Sequence, residues 1–449
     1  MSASDTIEFI PGKGRILPLS ERVDPTSTAL VVVDVQNDFC DPDGAFGKLG
    51  NDVSMMPAMA ASLHQLIDAA RHRGMLIIWV RATYGAVDTS AALAETYNRR
   101  GFHQSQCLEG SWGADWYCVA PENAANEVVL TKHRFSPFWD TAIDLYLRSN
   151  GIRSVVVTGV VTSGCVESTV RDAFFNDYYT VVAEDCVAEA SADRHRNALI
   201  KMAQAFGLVV PAAEIMQVWD GNAHNALAWR VDAKRDRLLH DRRARLDPAH
   251  SALVLVDLQN DFCDAGGAMG QRAEGLSQIR ATIPRIAELL RQARLRQVPV
   301  VHVKAEYGEA DASDVRLFAE QRSGSRDVCV PGTWGAEIVP EAAPVRGESV
   351  VVKHRFSGFV DTGLEKLLRA NRTRTLVVAG VATQCCVEST VRDAALRDFY
   401  VVVPDDCVAA RDRMRHLHDA SLETMAIYFA DIFPSSEIAN HWRGDPSPS

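Results

Sequence analysis

Short runs of aliphatic and β-branched residues punctuate the chain: "ALVVVDV", "MLIIWVRA", "EVVLTK", "SVVVTGV", "YTVVAEDC" and "GLVVPA" follow one another through its first half. Longer stretches between them carry apolar residues at helical spacing. Near-continuous apolar strands alternating with helices belong in a parallel sheet covered on both faces. The pattern then begins again. "ALVVVDVQNDFCDPDGAFG" returns as "ALVLVDLQNDFCDAGGAMG", "CLEGSWGA" as "CVPGTWGA", "VVLTKHRFSPFWDT" as "VVVKHRFSGFVDT", and "VVTSGCVESTVRDA" as "VATQCCVESTVRDA". Between the first and last pair the register drifts by only two residues, so loops of nearly equal length separate the same elements. A repeat this long is a whole domain rather than a solenoid module. The expected fold is α/β: two tandem doubly wound domains over 1–220 and 237–449, each a mainly parallel sheet with helices on both faces, joined by a linker over 221–236.

Composition narrows the class. Of 449 residues, 47% are hydrophobic and 23% charged, the balance of a globular chain with a sizeable core. The net charge of −11, with scattered basic residues, argues against nucleic acid as a partner. No apolar run is long enough to span a membrane, and the first residues lack the basic start and apolar core of a secretory signal. A cytoplasmic protein is expected, its ten cysteines free thiols. No C-x-x-C pair suggests structural zinc.

Doubly wound folds gather their sites at the carboxyl ends of the strands. Asp34 interrupts "VVVDVQ" and Asp257 interrupts "VLVDLQ", placing a carboxylate where an unpaired charge is costly. Lys132 and Lys353 end later strands at the same edge. Cys165 and Cys386 follow a strand by a few residues and open a helical segment, in which Glu167 and Arg171 stand at i,i+4 spacing. A cysteine at a helix N-terminus is expected to favour its thiolate. Each residue alone has an ordinary structural reading, but the coincidence of all three, twice, points to a nucleophilic site. The lysine would stabilise the thiolate, the aspartate would move the proton, and helix-start amides would hold an oxyanion. His133 and His354 adjoin the lysines and are expected on the opposite face of the strand.

In these motifs the sequence resembles the isochorismatase-like cysteine hydrolases, which include nicotinamidase, N-carbamoylsarcosine amidase, ureidoacrylate amidohydrolase and biuret hydrolase. The carriers are "VVDVQNDF", "TKHRFSPF" and "GVVTSGCVESTVRDA", then "LVDLQNDF", "VKHRFSGF" and "GVATQCCVESTVRDA". The resemblance implies Asp-Lys-Cys triads at Asp34, Lys132, Cys165 and at Asp257, Lys353, Cys386. It implies a non-proline cis peptide at Val160 to Val161 and Val381 to Ala382, with oxyanion amides from Val161 and Cys165 and from Ala382 and Cys386. Relatives that hydrolyse isochorismate lack the nucleophilic cysteine. Nicotinamidases add an Asp-x-His metal site where this chain reads "WVRATYG" and "HVKAEYG", with Gln106 and Val328 in place of a further histidine. The expectation is therefore an enzyme without metal or cofactor, cleaving the C–N bond of a small carbamoyl, ureido or other linear amide through a thioester.

Phe39, Trp112, Phe262 and Trp334 are candidate pocket residues by position, and Arg134 and Arg355 are candidates for binding a substrate carboxylate. Neighbouring subunits in the family often pack near the active site, so the fused halves are expected to act as a covalent pseudo-dimer, further homo-oligomerisation being open. Three other readings stay open on the sequence: one catalytic half with a structural or regulatory partner, a nicotinamidase- or isochorismatase-type hydrolase, and a thiol-sensing or binding protein. Ser163-Gly164 against Gln384-Cys385 is where the two sites are expected to diverge.

Overall fold

The computed structural model describes residues 17–99, 101, 106–122, 124–221, 226, 238–272, 275–308 and 327–443. The chain divides into two compact units, Met1–Leu238 and Leu239–Ser449. Of the linker expected over 221–236, only Gly221 and Ala226 fall within the described residues.

The first unit carries one parallel sheet. Its strands are β1 (Thr28–Val33), β2 (Leu76–Ala82), β3 (Glu127–Lys132), β4 (Ser154–Val160), β5 (Tyr179–Ala188) and β6 (Gly207–Val210), in the order β3-β2-β1-β4-β5-β6. β1 lies at the centre, where the order reverses, and every residue of it is buried. Alternation along β1 feeds two cores: Leu30 and Val32 pack with Leu63, Leu66 and Ile67 of helix α1 (Met56–His72) on one face. Ala29, Val31 and Val33 pack on the other face with Val170 and Ala173 of α2 (Glu167–Phe175) and Ala198 and Met202 of α3 (Ala192–Ala205). This two-sided burial is why the strand reads as a continuous apolar run rather than as an alternating one.

The second unit repeats the plan with β7 (Ser251–Val256), β8 (Val300–Ala305), β9 (Ser349–Lys353), β10 (Thr375–Val381), β11 (Tyr400–Pro404), β12 (Val408–Ala409) and β13 (Asp431–Phe433). Its order is β9-β8-β7-β10-β11-β13, with β12 paired to β10. Leu253 and Leu255 face Ile279, Ile286 and Leu290 of α4 (Ser277–Leu295), and Val254 and Val256 face Val391 and Ala394 of α5 (Glu388–Ala395). The counterpart of β5 is broken in two. Where the first unit has Ala183 and accommodates a register shift between Val157 and Gly159, the second has Pro404, whose missing N–H ends β11 at a short 3₁₀ turn, Asp405–Cys407.

Gly159 and Gly380 fix the approach of the central strands. Each has a positive φ, 107° and 131°, and an added Cβ would lie 2.0 Å from the carbonyl oxygen of Val33 or Val256. Only glycine tolerates both conditions. Among the described residues no helix is long and apolar enough to cross a membrane.

Candidate active site

Asp34 leaves the end of β1 in the left-handed region, φ 53°, with its amide donating to the Val80 carbonyl at 2.8 Å. Aspartate tolerates this conformation better than most side chains. Asp257 does the same, φ 53°, against Val303. The three residues of "QND" that follow are latches. Gln36 donates to the carbonyls of Ala82 and Ala114 and accepts from the Ala82 amide, tying the end of β2 to the turn Trp112–Ala114. Asn37 donates to the Trp112 carbonyl, and Asp38 accepts from the amides of Ala45 and Cys107. Gln259, Asn260 and Asp261 repeat these bonds on Ala305, Ala336, Trp334, Ala268 and Cys329. Gly113 and Gly335 are required beneath the latch, because a Cβ there would come within 2.4 Å of the Asp38 or Asp261 carboxylate.

Lys132 ends β3 and is fully buried; its Nζ lies 2.7 Å from Asp34 Oδ2 and 3.4 Å from Cys165 Sγ. Lys353 stands 2.9 Å from Asp257 Oδ2 and 3.4 Å from Cys386 Sγ, and donates to the Arg355 carbonyl at 3.2 Å. The structure thus brings each expected Asp, Lys and Cys together. Burial alone would discharge the lysines, but the adjacent aspartate and cysteine hold both ammonium groups above the ordinary lysine range. Burial raises the pKa of Asp34 and Asp257 against the opposing pull of the lysine charge.

Cys165 lies in a single π-turn, Thr162–Val166, immediately before α2, and Cys386 lies in Thr383–Val387 before α5. The expected thiolate preference is reversed. Burial pushes the Cys165 thiol up to about 12, Lys132 pulling it down and Asp34 adding to the rise. Desolvation of the buried thiol is the largest cause. Cys386 is also raised well above the ordinary thiol range, first by its contact with the neighbouring Cys385 thiol, at 4.0 Å, and then by burial. The peptide bonds Val160-Val161 and Val381-Ala382 are cis. In the first turn the amides of Ser163, Gly164, Val166 and Glu167 are committed to Glu189, to the Val161 carbonyl and to carbonyls of the turn itself. Hydroxyls pin the turn from below: Thr162 meets His195 Nδ1 at 2.9 Å and Thr169 donates to the Cys165 carbonyl at 2.7 Å. Thr383 with His418 and Thr390 with Cys386 repeat this. Burial lowers the pKa of His195 and His418, so both are neutral partners at neutral pH.

A cavity of about 570 Å³ opens on Cys165 and Asp34. Phe39 lines it, joined by Phe46, Tyr84, Tyr97, Gln106, Phe135 and Arg194. Trp112 is 51% exposed and outside this lining, its carbonyl accepting from Asn37; Trp334 is exposed to the same extent. Arg134 also lies outside the lining, its guanidinium donating to the carbonyls of Asp88 and His133; Arg355 donates to the His354 carbonyl. Phe262 packs partly buried against the second core. His133 turns away to the Thr83 carbonyl, and His354 to that of Glu306.

Tyr84, Tyr97, Glu189 and Arg194 were not legible as site residues. Tyr84 and Glu189 fall just past the ends of β2 and β5, a positional signal that could have found them. The two tyrosine rings meet edge to face at 5.3 Å. Glu189 is 3% exposed and accepts from the Ser163 amide and hydroxyl at 3.1 and 2.6 Å, with Arg194 at 3.3 Å. Among the described residues no three His, Cys, Asp or Glu side chains gather as a metal site would need.

The isochorismatase domain model matches residues 28–214 and again 251–437. Among solved structures, this chain is similar to a cysteine hydrolase from Pseudomonas syringae at 25% identity, covering 44% of this chain and 95% of that one, with a TM-score of 0.41. An isochorismatase family protein from Desulfovibrio vulgaris is 34% identical over 42% of this chain and 96% of its own, TM-score 0.37. N-carbamoylsarcosine amidase from Thermoplasma acidophilum is 28% identical over 42% and 98%, TM-score 0.36.

Proposed function

The chain belongs to the isochorismatase family over both of its halves, and from that premise we propose that each half is a cysteine hydrolase that cleaves the C–N bond of a small carbamoyl, ureido or other linear amide. The observation that carries the proposal is the buried Asp-Lys-Cys contact, 2.7 and 3.4 Å in one half and 2.9 and 3.4 Å in the other.

In the resting site the cysteine is a thiol and Asp34 is its proton acceptor. The raised pKa of Asp34 narrows the gap between acid and base, which favours transfer as sulfur attacks. Lys132 meets the negative charge on sulfur, and the amides of Val161 and Cys165 receive the oxyanion. The tetrahedral adduct collapses to an acyl thioester as Asp34 returns the proton to the departing nitrogen. Water then attacks the thioester with Asp34 again accepting a proton, releasing the acid and restoring the thiol. Asp257, Lys353, Cys386 and the Ala382 amide perform the same steps in the second half. No metal or cofactor has a step in this scheme. The reaction suits a protein of the cytoplasm, and the two halves take the place of two subunits.

Ammonia release over a panel of ureido, carbamoyl and simple amides tests the proposal with the intact protein, Cys165→Ala, Cys386→Ala and the double variant. Each single variant is expected to retain one activity and the double variant none, with an acyl adduct on each intact cysteine by mass spectrometry. Full turnover by the double variant, or no turnover on any amide, rejects it. An adduct on one cysteine only would assign catalysis to that half.

A further inference from the structure

The second half carries a thiol, Cys385, beside its triad cysteine, where the first half has Gly164. Cys385 is partly exposed and Cys386 buried, and the Cys386 thiol is directed at the Cys385 sulfur, 4.0 Å away. The turn that bears them is the same in both halves. The amides of Cys385 and Val387 donate to the Ala382 carbonyl at 3.0 and 3.3 Å, as those of Gly164 and Val166 do to the Val161 carbonyl. A side chain at position 164 would be crowded, because a Cβ there would stand 2.9 Å from Val161 Cγ2. In the second half Ala382 replaces Val161 and has no γ carbon, which frees the place that Cys385 takes. The dithiol thus depends on two differences together, one that adds the sulfur and one that admits it.

The two sulfurs are unlike. The hydrogen bond from Cys386, helped by the Lys353 charge, holds the Cys385 thiol below its usual range against burial, whereas the same contact and burial raise Cys386. Thiolate is the form that attacks, so the exposed member is the one prepared to react first. Lys353 Nζ lies 3.4 Å from Cys386 Sγ and 2.9 Å from Asp257 Oδ2. Negative charge developing on Cys386 therefore meets an ammonium.

We propose that Cys385 and Cys386 form a dithiol modification site, which a hydroperoxide closes into an internal disulfide and a small thiol reopens. The Cys385 thiolate attacks one peroxide oxygen; the O–O bond breaks, the other oxygen leaves and takes up the proton shed by Cys385, and Cys385 becomes a sulfenic acid. Cys386 sulfur then attacks that sulfur. The S–S bond forms as the S–O bond breaks, and the Cys386 proton departs with the hydroxyl group as water. Each thiol gives up one electron and the peroxide gains both. Adjacent Cα atoms are about 3.8 Å apart across a trans peptide, below the span of about 4.4–6.8 Å usual for disulfides, so such a bridge is strained and readily reduced. Resting on the reading of Cys386 as the second nucleophile, the bridge silences the second site. Among the described residues Cys165 is the one cysteine lining the first cavity, and with Gly164 beside it the first site has no corresponding bridge.

Trypsin separates the two turns: residues 375–392 hold Cys385 and Cys386, residues 154–171 hold Cys165, and neither stretch has another cysteine. The folded protein is treated with a stoichiometric amount of hydrogen peroxide, denatured in iodoacetamide, digested and weighed. The 375–392 peptide is expected to be lighter by two hydrogens and unalkylated, and dithiothreitol before iodoacetamide is expected to restore both alkylation sites; the 154–171 peptide is expected alkylated throughout. In Cys165→Ala, which isolates the second site, turnover is expected to be lost as the bridge forms and to return with dithiothreitol. Cys385→Gly, which gives the second turn the residue the first already has, is expected to abolish the recoverable part of that loss. A bridge from either thiol to a different cysteine, sulfinic acid on Cys386 alone, or an unchanged 375–392 peptide overturns the site, and a bridge that leaves second-site turnover intact overturns the silencing. If the protein cleaves no amide the amidase reading fails by itself, and the peptide masses still decide the dithiol.

Discussion

In the first half a buried glutamate, Glu189, grips the turn that bears Cys165; in the second, Ala410 leaves that turn to Gln384, Met414 and a neighbouring arginine. Beneath this difference the two halves are nearly superimposable in their bonds. The Gln-Asn-Asp latches, the left-handed aspartates, the lysine contacts and the threonine–histidine pins recur with the same partners. The bonds that hold the Asp, Lys and Cys recur, while Ser163 against Gln384, Gly164 against Cys385 and Glu189 against Ala410 differ beside them.

The largest test of this comparison is Asp34→Asn. Asparagine keeps the shape but cannot take the thiol proton, so first-site turnover should fall by about a thousandfold, within the range of general acid–base catalysis. Asp257→Asn should do the same to the second site alone. Loss of both activities from one substitution would show that the halves are not independent machines.

Gly159→Ala and Gly380→Ala probe the shared frame. Each places a methyl group against the neighbouring strand's carbonyl at a positive φ, and each should cost about 1–3 kcal/mol or more. Calorimetric unfolding reads this as a lowered midpoint. A loss in one half only would break the equivalence of the frames.

The pH profile sharpens it further. Asp34 must be ionised to act, and burial raises its pKa, so activity is lost as pH falls through that raised value. The acid limb of kcat/KM is expected above the usual aspartate value of about 3.9. The Cys165 thiol, at about 12, should add no step near the ordinary thiol value of about 8.5. Asp257 is raised by the same cause, so single-site variants should give limbs of the same sense. A step near 8.5 would show a thiol less buried than the structure has it.

The smallest expected effect belongs to Cys385. The Cys386 thiol holds the Cys385 pKa below its usual range and is itself raised by the contact. Cys385→Gly, copying Gly164, should lower the Cys386 pKa and quicken its alkylation by iodoacetamide a few-fold at fixed pH. Unchanged alkylation would mean the contact is without consequence for reactivity.

The fold was legible because two-sided burial writes itself as continuous apolar strands, and because the chain states its plan twice. The meeting of Asp, Lys and Cys was legible for a related reason: each has an ordinary structural reading alone, and their coincidence at strand ends in both halves directed attention to one place. The state of the cysteine was not. "SGCVES" announces a helix start, but the burial that raises the thiol pKa belongs to the packed structure. Nor was the role of Trp112, where a large aromatic residue draws attention and its backbone carbonyl does the holding. Glu189 escaped notice because it stands alone in the sequence, and the contacts that give it meaning lie at Ser163.

The covalent duplication has a consequence for the proportion of the two units. Two complete units in one polypeptide are synthesised in equal number at every level of expression. Under the proposed function, the ratio of the two activities is then set by the side chains of each half and not by making more of one half than of the other.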